Sequence, residues 1–232
     1  ADIFWQQIAA LAPRARVLAL SYPAAGSAQD WVGDIAALMD RAGLDRAVVL
    51  GSSLGGYLAQ LFAAAHPERT AGLVAASTLH SVRPIQVIPP YALDLDTAPI
   101  AELRGGFARG LEAWAEAHPD QRGLVELLMG DAGGRIPEAE LRARLKALKG
   151  APELPPVPLP AARIATVQAA DDPLIPANMR AAVRARLSPA RAFRFAWGGH
   201  FPYVVRAAAY TALIEEMLGL PVTGEAWPEG EA

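Results

Sequence analysis

Short, nearly continuous apolar runs alternate with longer stretches of helical periodicity along this chain, and no other feature restricts its fold as much. The runs 16–22 (RVLALSY), 47–52 (AVVLGS), 72–77 (GLVAAS), 164–169 (IATVQA) and 192–197 (AFRFAW) have strand length. Between them, apolar residues recur at helical spacing over about 30–41, 55–65, 177–187 and 203–218. Strands apolar on both sides must be covered on both faces, and helical connections allow neighbouring strands to run parallel. The pattern therefore predicts an α/β fold, a mostly parallel sheet with helices on both faces.

The section 81–160 breaks the alternation. It opens with Pro84, Pro89 and Pro90, carries three helical patterns near 99–118, 120–129 and 137–149, and closes with Pro152, Pro155, Pro156, Pro158 and Pro160. The proline run predicts a stiff, extended return. An insertion of this size between two strands is expected to form a helical cap over one end of the sheet. Residues 1–80 and 161–220 would then be the core, and the polar, acidic tail 221–232 (PVTGEAWPEGEA) is expected to be loose. At the other end, Asp2 is placed to cap a helix carrying Ile3, Phe4, Ile8 and Leu11.

Composition excludes several functions. A chain of 232 residues is long enough for one large core with an inserted subdomain, and 53% hydrophobic content rules out general disorder. A formal charge of −3 without a Lys/Arg run argues against nucleic-acid binding. No stretch approaches about 18 consecutive apolar residues, so no membrane span is expected. With no cysteine there is no disulfide, thiolate metal site or cysteine nucleophile. No His/Asp/Glu cluster has metal-ligand spacing, and no cofactor is expected. No signal-peptide pattern opens the chain, so a cytoplasmic location is expected.

Chemistry concentrates at three places. Gly51-Ser52-Ser53-Leu54-Gly55-Gly56 lies where an apolar strand meets a helix of small residues, matching Gly-x-Ser-x-Gly with Ser53 at its centre. Glycines permit a very tight strand-to-helix turn, and side chains at 51 and 55 are expected to collide with neighbouring backbone. The hydroxyl then stands above the carboxyl edge of the sheet, and the Leu54 N–H, at the helix N-terminus, faces any oxyanion formed there.

A serine needs a base and a group to orient that base. The strand 164–169 runs into Ala170-Asp171-Asp172-Pro173-Leu174-Ile175-Pro176, where either acid could hold a histidine. The next strand ends in Trp197-Gly198-Gly199-His200-Phe201-Pro202-Tyr203. Of the four histidines, His66 and His118 stand at helix ends before prolines, and His80 follows a strand at the edge of the site. Only His200 completes the order Ser…Asp…His.

GSSLGG, DDPLIP and GGHFPY together resemble the α/β-hydrolase superfamily, over nearly the whole chain except 81–160. The family's acid usually lies four residues before the loop's final proline, which selects Asp172. SYPAAGSAQDWVGDI, GSSLGGYLAQ and GGHFPYVVRAAAY are similar to the maspardin-like branch. The eukaryotic maspardins are regarded as binding proteins with another residue at the histidine position, whereas this chain has His200. The resemblance implies a Ser53–His200–Asp172 triad. The residues Tyr91, Phe107, Leu111 and Trp114 of 81–160 could wall a mainly apolar pocket, which suggests a small or medium carboxylic ester, and His80 is a further candidate substrate contact. The alternative is a non-catalytic binding or scaffold protein on the same fold. The sheet edge or the cap offers a surface for a homodimer.

One departure from the family stands out. Its His-Gly segment, whose loop gives the second oxyanion N–H, has no counterpart, and the 2–11 helix is similar to the one that follows that loop. The family's intervening strand is interior, between those matching 16–22 and 47–52. Its loss would strand backbone groups at about 1–3 kcal/mol each, so an N-terminal segment of roughly 25–45 residues, by analogy, is expected to precede the sequence.

Overall fold

The carboxyl ends of four strands meet along one edge of the sheet, which gives three loops a common place to converge. A computed structural model describes residues 2–130 and 135–224, without the side chains of a few positions, Phe107 among them. Strands β1 (Ala47–Ser52), β2 (Thr70–Ala76), β3 (Ile164–Ala169) and β4 (Arg191–Phe195) pair in the order β1–β2–β3–β4, and every pairing is parallel. All six residues of β3 are buried, as an interior strand between two helical layers requires. In β4 only Phe193 and Phe195 are buried, the alternation of a half-exposed edge.

Helices cover both faces. Ala59 and Ala63 of α3 (Leu54–Ala65) and Val183 and Leu187 of α7 (Ala177–Leu187) pack on Leu73, Ala75 and Ile164. On the opposite face, Leu11 of α1 (Trp5–Leu11) and Tyr210, Leu213 and Ile214 of α9 (Ala207–Leu218) pack on Val74, Val167, Phe193 and Phe195. Each fully buried Leu, Val or Phe is worth about 1.5–3 kcal/mol, so these layers outweigh exposed ion pairs at about 0–1 kcal/mol each. Among the described residues no helix is long and apolar enough to cross a membrane.

The run 16–22 is not a strand. It is irregular, joins no ladder, and leaves Val17 and Leu18 each 41% exposed. Strand propensity is realised only with neighbours to pair and pack against, and among the described residues this run has no sheet partner. Its anchor is Tyr22, stacked on Trp31 at 4.9 Å. Beyond it, Gly26 turns the chain at φ 102° into α2 (Ala28–Arg41), where Ser27 and Asp30 form a reciprocal capping box. Those Ser27 hydrogen bonds hold the Asp30 carboxyl below its ordinary pKa.

Between β2 and β3 lie α4 (Ile100–Ala117), α5 (Arg122–Gly130) and α6 (Glu138–Lys149). Ala143, Ala147 and Leu148 of α6 join the cluster formed by α2 and α3. Leu111, Trp114, Val125 and Leu128 of α4 and α5 pack instead against Trp197, Phe201 and Val205, beyond β4. After β4, the helix expected over 203–218 is two: α8 (Pro202–Val205) and α9, broken where Arg206 leaves helical geometry at φ −120°, ψ 41°. The tail is tied down at its start, because Thr223 donates its N–H and hydroxyl to Glu215, each at 2.7 Å, and Arg14 Nη1 donates to the Pro221 carbonyl. Residues 225–232 lie outside the described residues.

Candidate active site

Ser53 occupies the turn between β1 and α3 with φ 55° and ψ −121°, a positive φ that a residue with a side chain rarely adopts. Such a backbone costs about 1–3 kcal/mol and persists only where its surroundings fix it. The Ser53 N–H donates to the Ala76 carbonyl at 3.0 Å, and its own carbonyl accepts the Tyr57 N–H at 3.1 Å and the Thr78 hydroxyl at 2.7 Å. A Cβ on Gly51 would stand 2.0 Å from the Gly55 carbonyl oxygen. The other position closed by backbone is Gly56, where a Cβ would meet the Gly51 oxygen at 2.9 Å and Thr78 Cβ at 2.7 Å. Gly55 was expected to fill that role. Its nearest neighbour is instead the Tyr22 hydroxyl, 3.1 Å from a Cβ built there, because Gly55 faces the 16–22 segment rather than the strand. Burial pushes the Tyr22 phenol up to about 12.

Leu54 opens α3, and its N–H belongs to the first turn, where helical N–H groups lack intrahelical partners and the dipole favours negative charge. Ser53 and Leu54 are both half-buried.

His200 and Asp172 meet at the same edge. His200 Nδ1 lies 3.0 Å from Asp172 Oδ2 and 3.1 Å from Oδ1, with both residues buried. Asp172 Oδ1 also accepts the N–H groups of Leu174 at 2.9 Å and Ile175 at 3.0 Å. These bonds aim the carboxylate before the imidazole arrives, the turn chemistry available to an aspartate two residues before an amide. The Arg180 guanidinium braces the same loop by donating to the carbonyls of Ala170, Asp172 and Ile175.

The substrate-contact candidates separate. Leu111 and Trp114 line a small pocket with Gly199, His200 and Phe201, and neither His80 nor Tyr91 belongs to its walls. Tyr91 packs with the cluster that holds Tyr22 and Leu54, where burial raises its phenol pKa. His80 is half-buried, with Nδ1 lacking a hydrogen-bond partner among the described residues. The Phe107 side chain lies outside the described residues.

Other residues at this edge make contacts that the sequence gives no local signal for. Asp171 accepts the amides of Gly198 and Gly199 and the Trp114 indole N–H. His118 stacks between Trp114 at 4.3 Å and Trp197 at 5.8 Å. Gln7, buried on α1, donates to the Tyr203 carbonyl at 2.8 Å, three residues past His200. The pair Asp171–Asp172 and the helix-ending His118 were visible in the sequence, but their meeting depends on how 81–160 packs.

A strand-turn-helix serine and a buried carboxylate–imidazole pair, each just past a strand end of one parallel sheet, point to a class of protein. The sequence model described as the alpha/beta hydrolase fold matches residues 1–207, and the chain belongs to that family. The enol-lactonase of Burkholderia xenovorans LB400 shares the fold with a TM-score of 0.75, at 20% identity, over 94% of this chain and 86% of that one. A thermophilic esterase of Thermogutta terrifontis has a TM-score of 0.68, at 22% identity, over 94% and 85%. Maspardin of Rattus norvegicus is 44% identical over 64 residues, 27% of this chain. That match spans 24% of the maspardin's own length.

Proposed function

We propose that this chain is a serine hydrolase cleaving a small or medium, mainly apolar carboxylic ester through an acyl-enzyme. The observation that carries the reading is the buried His200–Asp172 contact at 3.0 Å, at the sheet edge where Ser53 is strained into the strand-to-helix turn. Ser53 Oγ attacks the ester carbonyl while His200 Nε2 takes its proton. The oxyanion faces the Leu54 N–H, a donor of a kind worth about 3–4 kcal/mol. His200 returns the proton to the departing alkoxide, leaving an acyl-serine and a free alcohol. Water then attacks the acyl carbonyl, again deprotonated by His200, and Ser53 recovers its proton as the acid leaves. Asp172 holds one imidazole tautomer and stabilises the imidazolium throughout.

Residues 81–160 act in this reading as a cap that brings apolar walls to the base. Leu111 and Trp114, beside His200, favour an apolar acyl or alcohol group over a charged one. Intact-mass spectrometry after fluorophosphonate treatment tests the mechanism. The expected result is a single adduct, absent from Ser53→Ala.

The 64-residue likeness to maspardin favours a second reading, a non-catalytic binding protein on the same fold. His200→Ala separates the two. An enzyme loses nearly all turnover, whereas a binder keeps its partner and takes no fluorophosphonate in either form.

A further inference from the structure

Three donors converge on a carboxylate that the proposed reaction does not use. Asp171 Oδ1 accepts the Gly199 N–H at 2.9 Å. Its Oδ2 accepts the Gly198 N–H at 3.2 Å and the Trp114 indole N–H at 2.6 Å. His118 Nε2 stands 3.6 Å from the same Oδ2. We propose that Asp171 is the positioning residue for His200, clamping the glycine pair before it and tying that pair to α4; the proposal rests on the reading of His200 as the base.

Two consecutive glycines, at φ 155° and φ 58°, precede His200. Glycine accepts these conformations without strain, but it holds none of them, so the loop needs an outside restraint. Asp172 restrains the imidazole at Nδ1 alone, and rotation of the preceding peptides would still swing the ring. Asp171 fixes both of those peptides through charge-assisted bonds, which are about twice as strong as neutral ones. The Trp114 ring closes the other side, since a Cβ on Gly199 would meet its Cε2 and Nε1 at 2.9 Å. Displacing a catalytic group by about 1 Å can cost about a hundredfold in rate, so the clamp acts on kcat rather than on substrate affinity.

Asp171→Asn breaks the clamp whichever way the amide faces. One acceptor oxygen becomes a donor, and either Gly199 or the Gly198–Trp114 pair loses its partner. Asp171→Glu keeps the charge and both acceptors on a longer stem. The two variants and the unaltered chain are compared in p-nitrophenyl butyrate hydrolysis and in the rate of fluorophosphonate labelling. NMR follows the Gly199 amide and the His200 ring. In Asp171→Asn, kcat and labelling fall by about tenfold to a hundredfold with KM within about twofold, and the two signals shift or broaden. Asp171→Glu recovers part of the rate. Full-rate labelling of Asp171→Asn, unmoved signals, or a lower melting temperature with unchanged kcat per folded molecule would each overturn the proposal. An unaltered chain that takes no label overturns the hydrolase reading instead, and the NMR comparison then decides by itself whether Asp171 holds the loop.

Discussion

Asp171 and Asp172 are consecutive in the chain, yet their carboxylates grip consecutive parts of a second loop: Asp171 Oδ1 the Gly199 N–H at 2.9 Å, Asp172 Oδ2 the His200 Nδ1 at 3.0 Å. Both acids lie in the turn that follows β3, and that one turn holds a backbone and a ring at once. The two acids are therefore not interchangeable, although either could have faced a histidine on sequence grounds.

Asp172→Asn separates orientation from packing. The amide preserves volume, but one of its two faces now donates toward the imidazole and favours the wrong tautomer. Loss of kcat by about 10³–10⁴-fold is expected, with the melting temperature little changed. Steady-state ester hydrolysis and a thermal melt check both halves.

Two glycine substitutions should have opposite signs. Gly51→Ala places a methyl 2.0 Å from the Gly55 carbonyl oxygen, which is backbone and cannot step aside, so a loss above about 3 kcal/mol or failure to fold is expected. Gly33 is an exposed position in α2 with nothing within 4 Å of a Cβ built there. Gly33→Ala should stabilise by about 0.4–1 kcal/mol, mainly by restricting the unfolded chain. Urea midpoints at constant m-value read both changes.

Much of the fold was legible because the strands are short, nearly continuous apolar runs. The boundaries 47–52 and 164–169 match β1 and β3, and 177–187 matches α7. Local pattern misled at 16–22, where the residues have strand character but pair with no strand among the described residues, and at Trp197, which leaves β4 to pack between His118 and Arg206. The local motifs pointed to Ser53, the Asp171–Asp172 pair and His200, because each lies just past a strand end marked by glycine or proline, and the family resemblance alone chose Asp172. The contacts that hold that edge together were not legible. Asp171 and Trp114 are 57 residues apart and Gln7 and Tyr203 are 196 apart, and no periodicity spans such separations.

Gly199→Ala should damage the site while leaving the core standing. The new methyl meets the Trp114 ring at 2.9 Å, and φ 58° is strained for any residue with a side chain. Trp114→Leu relieves the collision but not the backbone strain. The double variant is therefore expected to recover part of the stability lost, about 1–2 kcal/mol, with activity staying low. A double-mutant cycle with no coupling between the two positions would contradict the contact.

Acid should weaken the attachment of the tail to α9. Glu215 is fully buried, and burial alone would raise its pKa. The Thr223 N–H and hydroxyl and the Arg14 guanidinium outweigh that effect and hold the carboxyl below its ordinary value. The folded-state pKa is thus lower than the unfolded one. The stabilisation is present in full above the unfolded value, near 4.5, and is lost as pH falls from there through the folded value. Glu215→Gln removes the titration and weakens the Arg14 contact at every pH, so it should melt earlier at pH 7 but lose less on further acidification. Asp30 and Asp94 are also held low by hydrogen bonds, and they titrate equally in both proteins. The difference in melting temperature between the two proteins at pH 7 and at pH 3.5 therefore isolates Glu215, and an unchanged difference would show that it contributes nothing to acid sensitivity.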